Sequence, residues 1–315
     1  MGADETCPAG NQDPHQHHRP LGPMLCGPER ACEGSGLTPA GLDSHTMGAG
    51  GARMGDPRVD PLLLERDDLL HMIRAAVRDR RPFALARLGT AEMAVLGHAV
   101  APSAWPMQRY VAYSGIARFD RRTPARLASA LQSADVLGLL PQDSPHAVST
   151  RELLDAFAIH PQRACSAWVT HQLSADPAFL SFLAEVRLVV AGRRAAEALP
   201  SLDRLGIRPV AAYDLEGLDA VEVTLNAIQG GPPFDLALIS AGVPAAIAAV
   251  ELRDRMGAVT LDFGHALDLI IDGDAFNYRR LEEAWWQNQV RRRRRSRRGL
   301  PARRRACRRG GSRRG

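Results

Sequence analysis

Residues 234–268 read FDLALISAGVPAAIAAVELRDRMGAVTLDFGHALD, and this stretch decides the fold. Residues 234–240 form a short apolar run of the kind found in a strand buried on both faces. Ala241-Gly242 interrupts the run where a helix must begin. Pro244 suits the first turn of that helix, because its missing N–H would have no intrahelical partner there. Ile247, Val250 and Leu252 continue the helix until Gly257 stops it, and residues 258–261 open a second buried strand that ends in Asp262-Phe263-Gly264-His265. The result is one β-α-β unit. In parallel sheets built from such units, ligands lie beyond the carboxyl ends of the strands, where helix N-termini attract anions. Ser240, Gly242, Asp262 and His265 are therefore expected on one edge.

The segments before this unit repeat its rhythm. Leu62, Leu63, Leu69, Leu70, Ile73 and Val77 recur with helical spacing over residues 60–78, with charged residues between them. Beyond Pro82, residues 83–88 form a strand that runs into Gly89-Thr90-Ala91-Glu92 and a helix through Met93, Val95 and Leu96. Thr90 is expected to cap that helix, and Glu92 in its first turn complements the helix dipole. Helices follow at 124–133 and 150–159, separated by a strand at 135–140, and apolar helical segments continue to Leu183. A strand at 186–191 leads through Gly192-Arg193-Arg194 into a helix ending near Leu205; a strand at 207–212 and a helix at 218–228 complete the series. About six strands alternating with helices define the α/β class, here a Rossmann-like open and mostly parallel sheet covered on both faces.

Composition separates both ends from this pattern. Residues 1–53 are rich in Gly, Pro and His with almost no apolar run, and are expected to be disordered. Residues 291–315 hold fourteen Arg and no acidic residue, so the chain's net +5 less these fourteen charges leaves −9 on the remainder. The basic character thus belongs to a tail on an acidic body. Without aromatic residues or an amphipathic period, that tail is suited at most to nonspecific contact with nucleic acid or an anionic surface, and its plain reading is a disordered extension. The folded domain is expected over 54–290; Met54 stands just before its first periodic segment. Cys7, Cys26 and Cys32 near His15, His17 and His18 lack the paired spacing of a zinc site, and an odd total of five cysteines does not suggest a disulfide framework. The start lacks the basic and apolar regions of a secretory signal and no stretch is long enough to span a bilayer, so a cytoplasmic protein is expected.

Arg87-Leu88-Gly89-Thr90-Ala91-Glu92, Ser240-Ala241-Gly242 and Leu261-Asp262-Phe263-Gly264-His265, in this order, resemble the landmarks of the bacterial GT-D type glycosyltransferase family. That family carries an R-[FL]-G-D-G-E segment after its first strand, a small-residue turn after a later strand, and a closing D-[IF]-G-H segment. The similarity covers roughly residues 62–271. It implies a Rossmann-like domain that binds a nucleotide-sugar donor and transfers its sugar to a glycan, protein or small-molecule acceptor. This chain departs from the pattern where Thr90 replaces the first acid and Ala91 the second glycine. A divalent cation, Mn or Mg, bridging the donor diphosphate would then rest on Glu92 as its protein carboxylate.

The candidate site residues follow from strand ends and from the resemblance. Arg87, Gly89, Thr90, Gly192, Arg193, Ser240, Gly242 and Gly264 are expected to bind the donor and its phosphates; Glu92, His265 and Asp262 are the candidates for catalysis. Arg87 reads either as a bidentate phosphate ligand or as an end-of-strand cation paired with a surface acid. His265 reads either as a base or phosphate ligand or as a histidine that closes the domain, with Asp262 and Asp268 each three residues away. Gly192-Arg193-Arg194 is a candidate phosphate cradle. Two rivals stand beside the transferase: a binding or scaffold protein that has lost turnover, and another Rossmann-type enzyme such as a methyltransferase, for which no G-x-G-x-x-G is present.

Overall fold

The computed structural model describes residues 59–102, 105, 114–116, 120–140 and 147–277, all within the compact unit Gly50–Gly315. The expectations for residues 1–53 and 291–315, including Cys7, Cys26, Cys32 and the arginine run, lie outside the described residues.

Eight strands and ten α-helices are present among the described residues. In chain order they are β1 (Leu63–Leu64), α1 (Arg66–Arg78), β2 (Phe83–Leu88), α2 (Thr90–Val100), α3 (Thr123–Ser133), β3 (Val136–Leu139), α4 (Ala147–Ala156), β4 (Ala164–Ser166) and α5 (Val169–Ser174). There follow α6 (Pro177–Glu185), β5 (Leu188–Gly192), α7 (Ala195–Arg204), β6 (Ala211–Tyr213), α8 (Val221–Gln229), β7 (Leu236–Ser240), α9 (Val243–Met256), β8 (Val259–Asp262) and α10 (Ala266–Asp272). The strands form one sheet in the order β1-β4-β3-β2-β8-β7-β5-β6, and every neighbouring pair is parallel.

Burial alternates along each central strand, because successive side chains leave a strand on opposite faces. Ala84, Ala86 and Leu88 of β2 pack with α2, α3, α4 and α9, while Phe83 and Leu85 pack with α1, α5, α6, α7 and α10. On β7, Ala237 and Ile239 join α8 and α9, while Leu236 and Leu238 face the opposite layer. α9 is buried nearly all round: Val243, Ala246, Ile247 and Val250 enter one cluster, and Ala245, Ala248, Ala249 and Leu252 enter its neighbour. The apolar residues 243–250 need cover on every side, while the charged end of the helix at Asp254 and Arg255 is exposed. Gly257 ends it in the left-handed conformation, φ +63°, with its N–H bonded to Arg253 C=O at 2.8 Å.

Several boundaries differ from the sequence-based expectations. The sheet has eight strands rather than six, and it is wholly parallel, because the two- and three-residue strands β1 and β4 are too short to show periodicity. The expected helix over 60–78 starts only at Arg66; Asp60–Leu62 is a 3-10 turn containing Pro61, and Leu63 and Leu64 pair with Ala164 and Cys165. The strand placed at 207–212 is Ala211–Tyr213, since Ile207 N–H bonds Leu202 C=O at the end of α7. The helix placed at 150–159 is Ala147–Ala156, and the one at 218–228 divides into a 3-10 turn, Leu218–Ala220, and α8. Thr90 is the first residue of α2 rather than its cap. Gly89 holds the cap position, and its N–H donates to Glu92 Oε2 at 3.0 Å. No helix among the described residues is long and apolar enough to cross a membrane.

Candidate functional site

A solvent-open crevice of roughly 740 Å³, its mouth included, runs across the carboxyl ends of six neighbouring strands. In the order of the sheet, its walls come from Ala167, Trp168 and His171 after β4, Leu140 after β3, and the β2–α2 turn. Gly264, His265 and Asp268 follow β8, Ser240 and Gly242 follow β7, and Arg193 and Arg194 follow β5. The helices leaving β2 and β7 pack on one face of the sheet and those leaving β8 and β5 on the other, so the chain parts at this edge and leaves a gap.

At its floor lies a charged centre. Arg87 Nη2 donates to Asp262 Oδ1 at 3.0 Å, Nε donates to Asp262 C=O at 3.1 Å, and Nη1 donates to Ala167 C=O at 3.3 Å. Arg87 N–H also donates to Asp262 Oδ2 at 3.2 Å. Arg87 therefore ties β2 to β8 and to the residue after β4, and the acid it pairs with is buried rather than exposed. Asp262 is fully buried and is not part of the crevice wall. Glu92, 5% exposed, forms part of the wall. Burial and the Asp262 charge push the Glu92 carboxyl up to about 7, against the pull of Arg87 and of the Glu92 and Gly89 N–H groups. Burial also raises Asp262, with Arg87 opposing. Two buried carboxylates beside one guanidinium leave one negative charge in excess, and Glu92, with the weaker contact to Arg87, is the group that holds a proton near neutral pH.

A second polar group stands beside it. His265 Nδ1 lies 2.9 Å from Asp268 Oδ2, so of the two flanking acids it is Asp268 that reaches the imidazole while Asp262 belongs to Arg87. Arg194 holds Asp268 from the far side at 2.9 Å, bonds both oxygens of Asp272 at 2.8 Å and Glu197 at 2.8 Å, and so joins α7 to α10. Burial would raise the Asp268 carboxyl, but the His265 and Arg194 contacts hold it below its ordinary value. His171 faces the same space. Burial, then the positive charge of Arg87 and the neighbouring His265, push its pKa down to about 3, so this imidazole is neutral.

Nine of the expected residues line the crevice: Arg87, Gly89, Thr90, Glu92, Arg193, Ser240, Gly242, Gly264 and His265. Asp262 and Gly192 do not, and Gly192 has a packing reason: a Cβ there would overlap the Ser240 C=O. At Gly242, φ +67°, a Cβ would stand 2.6 Å from Ser114 O. That contact accompanies a cap: Val243 N–H donates to Ser114 C=O at 2.9 Å, Ala245 N–H to Gly242 C=O at 2.8 Å, and Pro244 has no N–H. The start of α9 is therefore largely satisfied within the protein, contrary to its expected availability for anions. α2 begins on the crevice, with its first residues Thr90 and Ala91 in the wall. Ser240 Oγ donates to Gly264 C=O and links the two turns. Sequence reasoning missed Trp168 and His171 as site residues: they follow a strand too short to be read, although their i, i+3 spacing is visible. Arg194, expected in the phosphate cradle, also lines the crevice.

No group of three His, Cys, Asp or Glu that could hold a metal ion occurs among the described residues. Asp262 is paired with Arg87, and Asp268 with Arg194 and His265. Glu92 is the one carboxylate of the β2–α2 turn, and it lies beside a guanidinium and accepts from Gly89 N–H. The described residues do not by themselves fit a resident divalent ion, which takes several hard oxygen ligands.

An open parallel α/β sheet with a charged crevice across its strand ends belongs to the Rossmann-like class, whose ligand sites occupy this edge. Residues 64–270 match the GT-D fold-like domain, and the chain belongs to that family. Similar solved structures include a selenomethionine-substituted domain of unknown function 1792, at 16% identity over 72% of this chain and 82% of that one, with a TM-score of 0.46. Another structure of domain of unknown function 1792, described as having a distinct glycosyltransferase fold, has 15% identity, the same coverages and a TM-score of 0.45. A third, described as a new glycosyltransferase from Streptococcus sanguinis, has 17% identity over 72% of this chain and 85% of that one, with a TM-score of 0.43. No curated protein matches the chain.

Proposed function

We propose that this protein is a glycosyltransferase that takes a sugar from a nucleotide-sugar donor and passes it to an acceptor hydroxyl on a glycan, protein or small molecule. The observation that carries the reading is the crevice across the strand ends of a GT-D family domain, with Arg193 on one side and the His265–Asp268 pair at its centre. Arg193 and the Thr90 and Ala91 N–H groups supply positive potential for a diphosphate. In the transfer, the acceptor oxygen bonds the anomeric carbon as the bond from that carbon to the phosphate oxygen breaks. The diphosphate leaves with the electron pair, and Arg193 and the start of α2 stabilise its charge. His265, its Nδ1 held by Asp268, takes the acceptor proton at Nε2. Arg87 and Asp262 act as positioning residues that fix the β2 and β8 turns from below. A divalent cation would be held by Glu92 and by the donor's own phosphate oxygens and would neutralise diphosphate charge; no step above depends on it.

Thr90 favours a second reading, a nucleotide-sugar-binding or scaffold protein without turnover, because the family's first acid is missing there. One experiment separates the two. Calorimetric titration of nucleotide sugars, with manganese or with chelator, is followed by an assay for nucleoside diphosphate release. Binding with release supports the transferase, binding without release with any acceptor supports the scaffold, and no binding in either condition removes both.

A further inference from the structure

The crevice is chemically divided along the sheet. Past β5 its wall is cationic, through Arg193 and Arg194. Past β3 and β4 its walls are Leu140, Ala167, Trp168 and His171, with no charged side chain among them. Six adjacent strands at about 4.8 Å spacing separate these ends by about 24 Å, enough for an extended two-part ligand. The His265–Asp268 pair and Glu92 stand between them, after β8 and at the start of α2.

Trp168 and His171 make a distinct wall. Both lie at the start of α5, held by the β4 strand end: Trp168 N–H donates to Ser166 Oγ at 3.2 Å, and His171 N–H donates to Trp168 C=O at 3.0 Å. Their ring centroids are 5.3 Å apart and tilted by 56°. Arg87 Nη1 donates to the C=O of Ala167, the residue before Trp168, so this wall is tied to the charged floor. A neutral imidazole beside an indole suits a ligand that is uncharged, offers an apolar ring face and carries hydroxyl groups. It does not suit a phosphate, which a neutral imidazole cannot pair with as a cation.

We propose that Trp168 and His171 form the sugar subsite of the donor: the Trp168 indole packs against the face of a neutral pyranose and His171 hydrogen-bonds its hydroxyls. This deepens the transferase reading and rests on it. The assignment gives the donor a direction, with the diphosphate at the start of α2 on the side toward Arg193 and the sugar on the side toward α5. Sugar selectivity is then a property of α5 and of Leu140, and nucleotide affinity a property of the other end.

The test compares two probes on the full-length protein. Uridine, guanosine and thymidine diphosphates are titrated alongside their glucose, galactose, mannose and N-acetylglucosamine conjugates, with wild type, Trp168→Ala, Trp168→Phe, His171→Ala and His171→Gln. Wild type should bind at least one conjugate about tenfold or more tighter than its diphosphate. Trp168→Ala and His171→Ala should abolish that advantage while diphosphate affinity stays within about threefold; Trp168→Phe and His171→Gln should keep part of it. Retained diphosphate binding shows that the variants are folded. Loss of diphosphate affinity equal to the loss for the conjugate, or an unchanged advantage in both alanine variants, overturns the subsite while leaving the transferase reading in place. A wild type that binds neither probe removes both.

Discussion

The Gly264 backbone lies directly over the Arg87 guanidinium: a Cβ at 264 would overlap Nη2, and Gly264 has φ +51°. The turn after β8 and the last cation of β2 are thus fitted to each other, and the Arg87–Asp262 pair is closed from above by a residue without a side chain.

Gly264→Ala should therefore cost far more than backbone strain alone. The left-handed conformation costs an alanine about 1–2 kcal/mol, and displacing Arg87 from a buried carboxylate adds about 3 kcal/mol or more. Gly206, φ +75° with nothing within 4 Å of a built Cβ, is the control. Gly206→Ala should lose only about 1–2 kcal/mol in urea unfolding. Equal losses at the two positions would show that Arg87 moves aside freely.

The buried Glu92 carboxyl should make stability depend on pH. Its folded value is about 7 against an ordinary 4.5, so below 4.5 both states carry the proton and it has no effect. Between 4.5 and 7 the unfolded chain releases the proton while the folded chain keeps it, and stability falls as pH rises; above 7 the full cost remains. Glu92→Gln, which keeps an acceptor for Gly89 N–H, should gain on wild type by about 3 kcal/mol between pH 4 and pH 8. A constant difference across that range would mean that Glu92 is ionised throughout.

Donor binding should respond to charge after β5 and at the start of α2. Arg193→Ala should weaken uridine diphosphate binding about tenfold or more in calorimetric titration, with or without manganese. Thr90→Asp should weaken binding in chelator, because it places a negative charge beside the diphosphate, and strengthen it with manganese by restoring a second carboxylate. The same response to Thr90→Asp in both conditions would place the diphosphate elsewhere.

His265 and Asp268 should separate turnover from binding. His265→Asn should slow sugar transfer by about 100-fold or more with donor affinity nearly unchanged. Asp268→Asn should also slow transfer with donor affinity nearly unchanged, since it removes the carboxylate that orients the imidazole through Nδ1. A fall in donor affinity matching the fall in rate in both variants would assign this pair to binding.

By itself the sequence determined the α/β class, the unit from β7 to β8, and the turns that end at Glu92 and His265. Those features are written in local chemistry: uninterrupted apolar runs for doubly buried strands, a proline in a first helical turn, and a glycine at φ +63° where α9 stops. Only the tertiary structure decided which charges meet. Asp262 and Asp268 stand equally far from His265 in the chain, yet 175 residues of separation bring Arg87 to the first and 74 bring Arg194 to the second. It also decided that the Ser114 C=O would cap α9, that Gly192 packs closely against Ser240, and that Trp168 and His171 would wall the crevice. The reason is that a strand of two or three residues such as β1 or β4 carries no period of its own; its neighbours in the sheet fix its place, and with it the place of every side chain that follows.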